Sequence, residues 1–157
     1  MRGPKATDGE DHEANPNWQA WVSQIRQYPA VMDRTRIERF VRDALGCTCP
    51  PEVFAVVRDQ YLDNDGTHAL RRIMIGDRLL VYLIDGARPP DLVHLTTLIR
   101  EGRQERDRRG LNRFRLVIAT EDPATVGPEL EASFHRTPEA DERVHLHVLE
   151  RSAIAGL

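Results

Sequence analysis

The chain has 157 residues, 40% of them hydrophobic and 30% charged, with a net charge of -3. That length buries a core without staples, and the mild acidity argues against a general nucleic-acid binder. Lys5 is the only lysine, which excludes a phosphate-cradling loop ending in Gly-Lys-Ser/Thr and a Schiff-base lysine in the folded body.

Residues 1–16 are polar and rich in Gly, Pro, Asp, Glu and Asn, which predicts a flexible leader. In residues 17–28, Trp18, Trp21, Val22 and Ile25 recur at helical spacing before Pro29, so a short helical arm is expected there. Trp18 and Trp21 are the candidates for docking a protein partner. A second helix is expected from Thr35, which with Glu38 forms a capping box. Its apolar face is Ile37, Phe40, Val41, Ala44 and Leu45, and Gly46 stops it. Cys47-Thr48-Cys49 follows, and Pro50 and Pro51 suit the start of a short helical turn.

Asn64-Asp65-Gly66 is a turn signal. Asp63 to Gly66 mimics the start of a calcium loop, but the position that needs a bidentate Glu is Met74. Leu70 to Ile75 and Leu79 to Ile84 are strand-like runs, expected to form a hairpin through a two-residue turn at Gly76-Asp77. Asp91 is the expected cap of a third helix with Leu92, Leu95, Leu98 and Ile99 inward. The arginine-rich run from Arg100 to Arg115 reads as a solvated helix end, with phosphate or nucleic-acid contact as the alternative. Phe114 to Ala119 predicts a strand, Glu129 to His135 a short helix, and Arg143 to Leu149 a last strand.

The expected fold is therefore α/β, one domain over residues 17–157, with a mixed sheet. A β-hairpin leads into a βαβαβ unit, and N-terminal helices precede both. No apolar run approaches the roughly 20 residues of a membrane span, and no secretory leader is evident; a soluble, cytoplasmic protein with no membrane association is expected.

Cys47 and Cys49 are the only cysteines and the most chemically pointed feature. Their spacing offers two soft metal ligands or a dithiol. In a reducing compartment such a pair reads as ligands, redox thiols or packing residues rather than a structural disulfide. Pro50 and Pro51 remove N–H donors that would face the sulfurs, and Glu52 adds negative charge, so the helix alone gives modest thiolate activation. A zinc ion or iron–sulfur cluster needs four ligands. The missing two could come from a second subunit in a homodimer, or from His145 and His147, which alternate onto one face of the last strand.

Other chemistries fit poorly. Metal-dependent nucleases that share this element order require a catalytic lysine after their acidic pair, and none follows Lys5. The three serines, Ser23, Ser133 and Ser152, stand in no nucleophile-elbow setting. The stretch from Ile37 to Phe54, with its core Leu45-Gly46-Cys47-Thr48-Cys49-Pro50 followed by Glu52-Val53-Phe54, resembles a group of small uncharacterised prokaryotic proteins with a Leu-Gly-Cys-X-Cys-Pro motif. The resemblance implies that Cys47, Cys49 and Pro50 belong to that motif, and supplies no reaction. The leading expectation is a metal-binding or thiol-redox accessory protein using Cys47 and Cys49. The alternative is a non-catalytic interaction module built on the tryptophan-bearing helix.

Overall fold

Leu79 to Ile84 is apolar at every position, the pattern of a strand covered on both faces rather than half-exposed. In the computed structural model, which describes residues 33–64, 68–86 and 88–157, that run is the central strand of a five-stranded sheet. The strands are β1 (Val57–Asn64), β2 (His68–Ile75), β3 (Leu79–Gly86), β4 (Arg113–Thr120) and β5 (Val144–Glu150), in spatial order β1-β2-β3-β4-β5. β1, β2 and β3 pair antiparallel, whereas β3, β4 and β5 pair parallel. The parallel pairs are joined by α2 (Leu92–Arg108) and α3 (Pro123–Arg136), and α1 (Arg34–Asp43) comes before the sheet. The expected hairpin followed by a βαβαβ unit in a mixed α/β sheet is what forms. The leader, the Trp18/Trp21 helix and most of the Asn64-Asp65-Gly66 turn lie outside the described residues.

Strand alternation divides the core. Leu80, Tyr82, Phe114, Leu116 and Ile118 pack with Leu95 and Ile99 of α2 and with Leu130 and Phe134 of α3. Ile73, Ile75, Val81, Leu83 and Val117, all almost fully buried, therefore point to the opposite face. On that side Arg115 of β4 reaches the C-terminal end of α1, donating from Nη1 to the Leu45 carbonyl at 2.8 Å.

Several local expectations need correction. α1 starts at Arg34, so Thr35 lies inside the helix rather than capping it. The β2–β3 connection has three residues, because Ile75 pairs with Leu79; Arg78 is thereby added to the loop. Asp91 caps α2 as expected, accepting from the His94 backbone N–H at 2.8 Å, but Leu92 faces outward and is exposed. α3 begins with Pro123 under an Asp122 cap and runs through Pro128, a residue that reads as a helix start because proline suits the first turn.

The largest correction concerns the end of α2. It is not simply solvated: Glu105 is 2% exposed and Arg106 is 1% exposed. Glu105 accepts from Arg72 and Arg109, each at 2.6 Å, and from the Tyr82 hydroxyl. Burial pushes its pKa up, but Tyr82, Arg109 and Arg72 outweigh that and hold it below the usual carboxylate range. Arg106 forms a two-pronged pair with Asp141 at 2.9 and 2.7 Å. That pair anchors α2 to the segment leading into β5.

Two stability predictions follow from these contacts. A Cβ at Gly102 would overlap the fully buried ring of Phe114. The helix-propensity gain of Gly102→Ala, about 1 kcal/mol, should be exceeded by an overpacking cost at the upper end of about 1–3 kcal/mol, for a net loss of about 1–2 kcal/mol. Glu105→Gln leaves two guanidinium groups without their shared carboxylate and should cost about 3 kcal/mol. Urea midpoints of both variants check these values, and an unchanged midpoint for Gly102→Ala would show that α2 can lift off β4.

Candidate functional site

The cysteine loop is set by the end of α1. Gly46 takes φ +71, a left-handed conformation that costs a glycine little. The chain reverses there, and the Cys47 N–H bonds back to the Val41 carbonyl at 3.1 Å. Pro50 then leads into the 3-10 turn Pro51–Ala55, as expected. Cys47 and Cys49 are at disulfide distance, and the Cys49 N–H points at the Cys47 Sγ at 3.3 Å. Cys47 is 8% exposed and Cys49 is more open.

Both cysteines line a cavity of about 450 Å³ at the start of the parallel strands. The loop from Gly46 to Pro50 forms one wall. Facing it are Arg78, from the β2–β3 loop, with Asn112, Arg113 and Arg115 at the start of β4 and His145 at the start of β5. Backbone bonds hold this far wall: Asn112 and Arg113 both donate to the Arg78 carbonyl, at 2.7 and 3.0 Å. Among the described residues no acidic side chain lines the cavity. Elsewhere Arg42, Arg71, Arg72, Arg103, Arg106, Arg109, Arg143 and Arg151 each meet a carboxylate. Among the described residues Arg78, Arg113 and Arg115 meet none, and neither do Arg34, Arg39, Arg58, Arg100, Arg108 and Arg136; the three are set apart by sharing one cavity.

His145 and His147 do share a face of β5, as their spacing predicts. Their ring partners are arginines: Arg113 Nη1 lies 3.2 Å from His145 Nε2, and Arg115 Nη1 lies 3.0 Å from His147 Nε2. A guanidinium offers only donors, so each Nε2 accepts and each ring is a neutral imidazole protonated at Nδ1. Burial pushes the His147 pKa down, and the Arg115 charge adds to it, to about 4. Burial, then Arg115 and Arg113, lower that of His145 as well.

This donor set does not by itself fit a zinc ion or an iron–sulfur cluster. Each Nε2 lone pair is directed at a cation rather than toward the sulfurs. Among the described residues no three His, Cys, Asp or Glu side chains converge as a metal site would require. A depression of about 430 Å³ beside β5, which His145, His147, Glu131 and Asp141 help to line, also lacks such a convergence.

Arg78 and Asn112 are the residues that sequence reasoning overlooked, while Arg113 and Arg115 entered it only as part of an arginine-rich run and not as partners of the cysteines. A signal for the latter two existed. Arg113-Phe114-Arg115 alternates as His145-Leu146-His147 does, and in parallel neighbours with Arg115 opposite His145 that places all four polar side chains on one face. Arg78 carried no such signal, because its place depends on the length of the hairpin loop. No family model, curated protein or solved structure matches the chain.

The imidazole pairing predicts a pH dependence. His147 is held neutral in the folded state, with a pKa of about 4 against an ordinary 6.5. The unfolded chain therefore takes up its proton first as pH falls. The stability this group contributes is complete above about pH 6.5 and is lost progressively toward pH 4, up to about 2–3 kcal/mol. Asp141, held near 2 chiefly by its bond from Arg106, loses its share only in the more acidic window below about pH 4. Urea denaturation at pH 7, 5.5 and 4.5 should show a decline that His147→Gln, which keeps an acceptor for Arg115 without titrating, flattens. Parallel curves for the two proteins would count against a neutral His147.

Proposed function

We propose that Cys47 and Cys49 form a thiol–disulfide redox centre, and that the protein acts as a redox accessory protein through it. The observation that carries this reading is the shared cavity: both sulfurs lie within bonding reach of each other and both line the same recess, instead of being sealed among aliphatic side chains. The lining arginines supply what the proline-rich turn withholds. Positive charge beside a thiol favours the thiolate, which is the nucleophile in disulfide exchange. The metal-binding form of the reading is less well supported, because the donors around the sulfurs are guanidinium groups and neutral imidazoles turned to them. A cluster shared between two copies would supply the missing ligands, and metal analysis distinguishes that case.

Equilibration of the anaerobically purified protein in dithiothreitol redox buffers, followed by alkylation of free thiols, tests the proposal. A single two-electron transition is expected, with both thiols alkylated together. Cys47→Ser and Cys49→Ser should each abolish the transition and leave the circular dichroism spectrum unchanged. Metal content should be well below one ion per chain. Thiols that resist alkylation in the folded protein, or a stoichiometric metal ion or cluster that survives native purification, would defeat it.

A further inference from the structure

We infer that the cavity beside Cys47 and Cys49 binds a small disulfide bearing an oxyanion group, carboxylate or phosphate, which Arg78, Arg113 and Arg115 recognise by charge. This rests on the thiol–disulfide reading for its chemistry, while the binding part stands on the cavity alone.

Three observations converge. The first is charge balance. In a chain of net charge -3, three arginines border one cavity, and among the described residues no carboxylate lines that cavity or meets any of the three. The second is spare donor capacity: of the Arg115 guanidinium, Nη1 is committed to the Leu45 carbonyl and to His147 and Nε is sealed from solvent without a partner, while Nη2 carries no hydrogen bond among the described residues. Guanidinium groups are the side chains best matched to carboxylate and phosphate oxygens. The third is size, since about 450 Å³ falls in the range of small-molecule sites and is too small for a folded partner. Asn112 adds polar capacity at the same wall, and the neutral rings of His145 and His147 hold two of the guanidinium groups without cancelling their charge.

The redox step balances as follows. Cys49 is the more open of the pair, so its thiolate attacks one sulfur of the bound disulfide. The substrate S–S bond breaks, a mixed disulfide forms, and one substrate thiolate leaves and takes up a proton. The Cys47 thiol gives its proton to solvent and its sulfur attacks Cys49 Sγ. The mixed disulfide breaks, the second substrate thiolate leaves and is protonated, and the Cys47–Cys49 bond forms. The protein pair gives up two electrons, and the substrate disulfide is reduced by two electrons to two thiols.

Two measurements test this and keep its failure separate from that of the redox reading. First, reduced protein is oxidised with three probes: 3,3'-dithiodipropionate, neutral bis(2-hydroxyethyl) disulfide and cationic cystamine. The anionic probe should react about 10-fold or more faster than the neutral one, with cystamine slowest and the spread narrowing in high salt. Second, octanedioate, an isostere of the first probe that has no sulfur, is titrated calorimetrically into the oxidised protein. Arg78 and Arg113 are exposed, so the double variant R78Q/R113Q should fold normally. It should lose octanedioate binding and bring the three rates within about 2-fold after correction for the intrinsic reactivity of each probe. Equal rates for the three probes together with no octanedioate binding overturn the anion site and leave the dithiol reading standing. Octanedioate binding that R78Q/R113Q abolishes, in a protein whose thiols reduce none of the probes, supports the anion site and defeats the dithiol chemistry.

Discussion

A guanidinium keeps its charge at every pH at which this chain is folded, and Arg115 carries that charge into the half-buried start of β4. Burial, reinforced by the neighbouring Arg113, pushes its pKa down, so its environment is unfavourable to the charge it cannot lose. The surrounding structure answers with neutral acceptors. The Leu45 carbonyl just past the end of α1 takes one N–H at 2.8 Å, and the His147 ring lies 3.0 Å from the same nitrogen. The first contact fixes where α1 ends over the sheet, and with it the position of the cysteine loop that begins at Gly46. The second fixes the protonation state of His147. One side chain thus links the helix, the edge strand and the sulfur-bearing turn.

The arginines of this fold solve the same problem in two ways. Around α2 they are matched by carboxylates: Glu105 gathers Arg72, Arg109 and the Tyr82 hydroxyl, and Asp141 takes Arg106 with both oxygens. Removing one member of such a buried set strands the others, which is why those pairs secure the packing of α2 rather than mark a binding surface. At the cavity no match is found among the described residues, although the chain has more acidic than basic residues overall. Carboxylates were not in short supply; they were placed elsewhere. Arg34, Arg39, Arg58, Arg100, Arg108 and Arg136 also meet no carboxylate among the described residues, so it is the convergence of three guanidinium groups on one recess that separates a site from a solvated surface.

Much of the fold was legible because it rests on local patterns. The apolar run of β3 announced a strand, Asp91 announced the start of α2, and the alternation of strands and helices after Leu79 announced the parallel half of the sheet. What could not be read depends on register and loop length. An extra residue in the β2–β3 loop brings Arg78 to the cavity, and the pairing of Arg115 with His145 across β4 and β5 decides that the imidazoles meet guanidinium groups and not one another. The burial of Glu105 and Arg106 was hidden for a related reason. In sequence they look like any charged helix end, and their partners Arg72, Tyr82 and Asp141 come from three other segments. The sulfurs and the two histidines were singled out from sequence, but the residues that give them an environment were not.

The proline pair after Cys49 takes on a different meaning beside these arginines. Pro50 and Pro51 deprive the short turn of N–H groups that would otherwise be aimed at the sulfurs, and Glu52 sits in the same turn. Taken alone, the segment argues against an activated thiol. Glu52, however, is exposed and does not line the cavity, so its charge is screened by water, while Arg78, Arg113 and Arg115 border the cavity directly. On the sulfur side the Cys49 N–H is the backbone donor that points at a sulfur, and the formal positive charge in the recess comes from the opposite wall. A charged group entering between the two walls would meet the guanidinium groups and the sulfurs together. On the redox reading, the features that bind an anion are then the same ones that favour the thiolate. Neutralising them should weaken both properties at once, a coupling not expected of a turn whose cysteines serve packing alone.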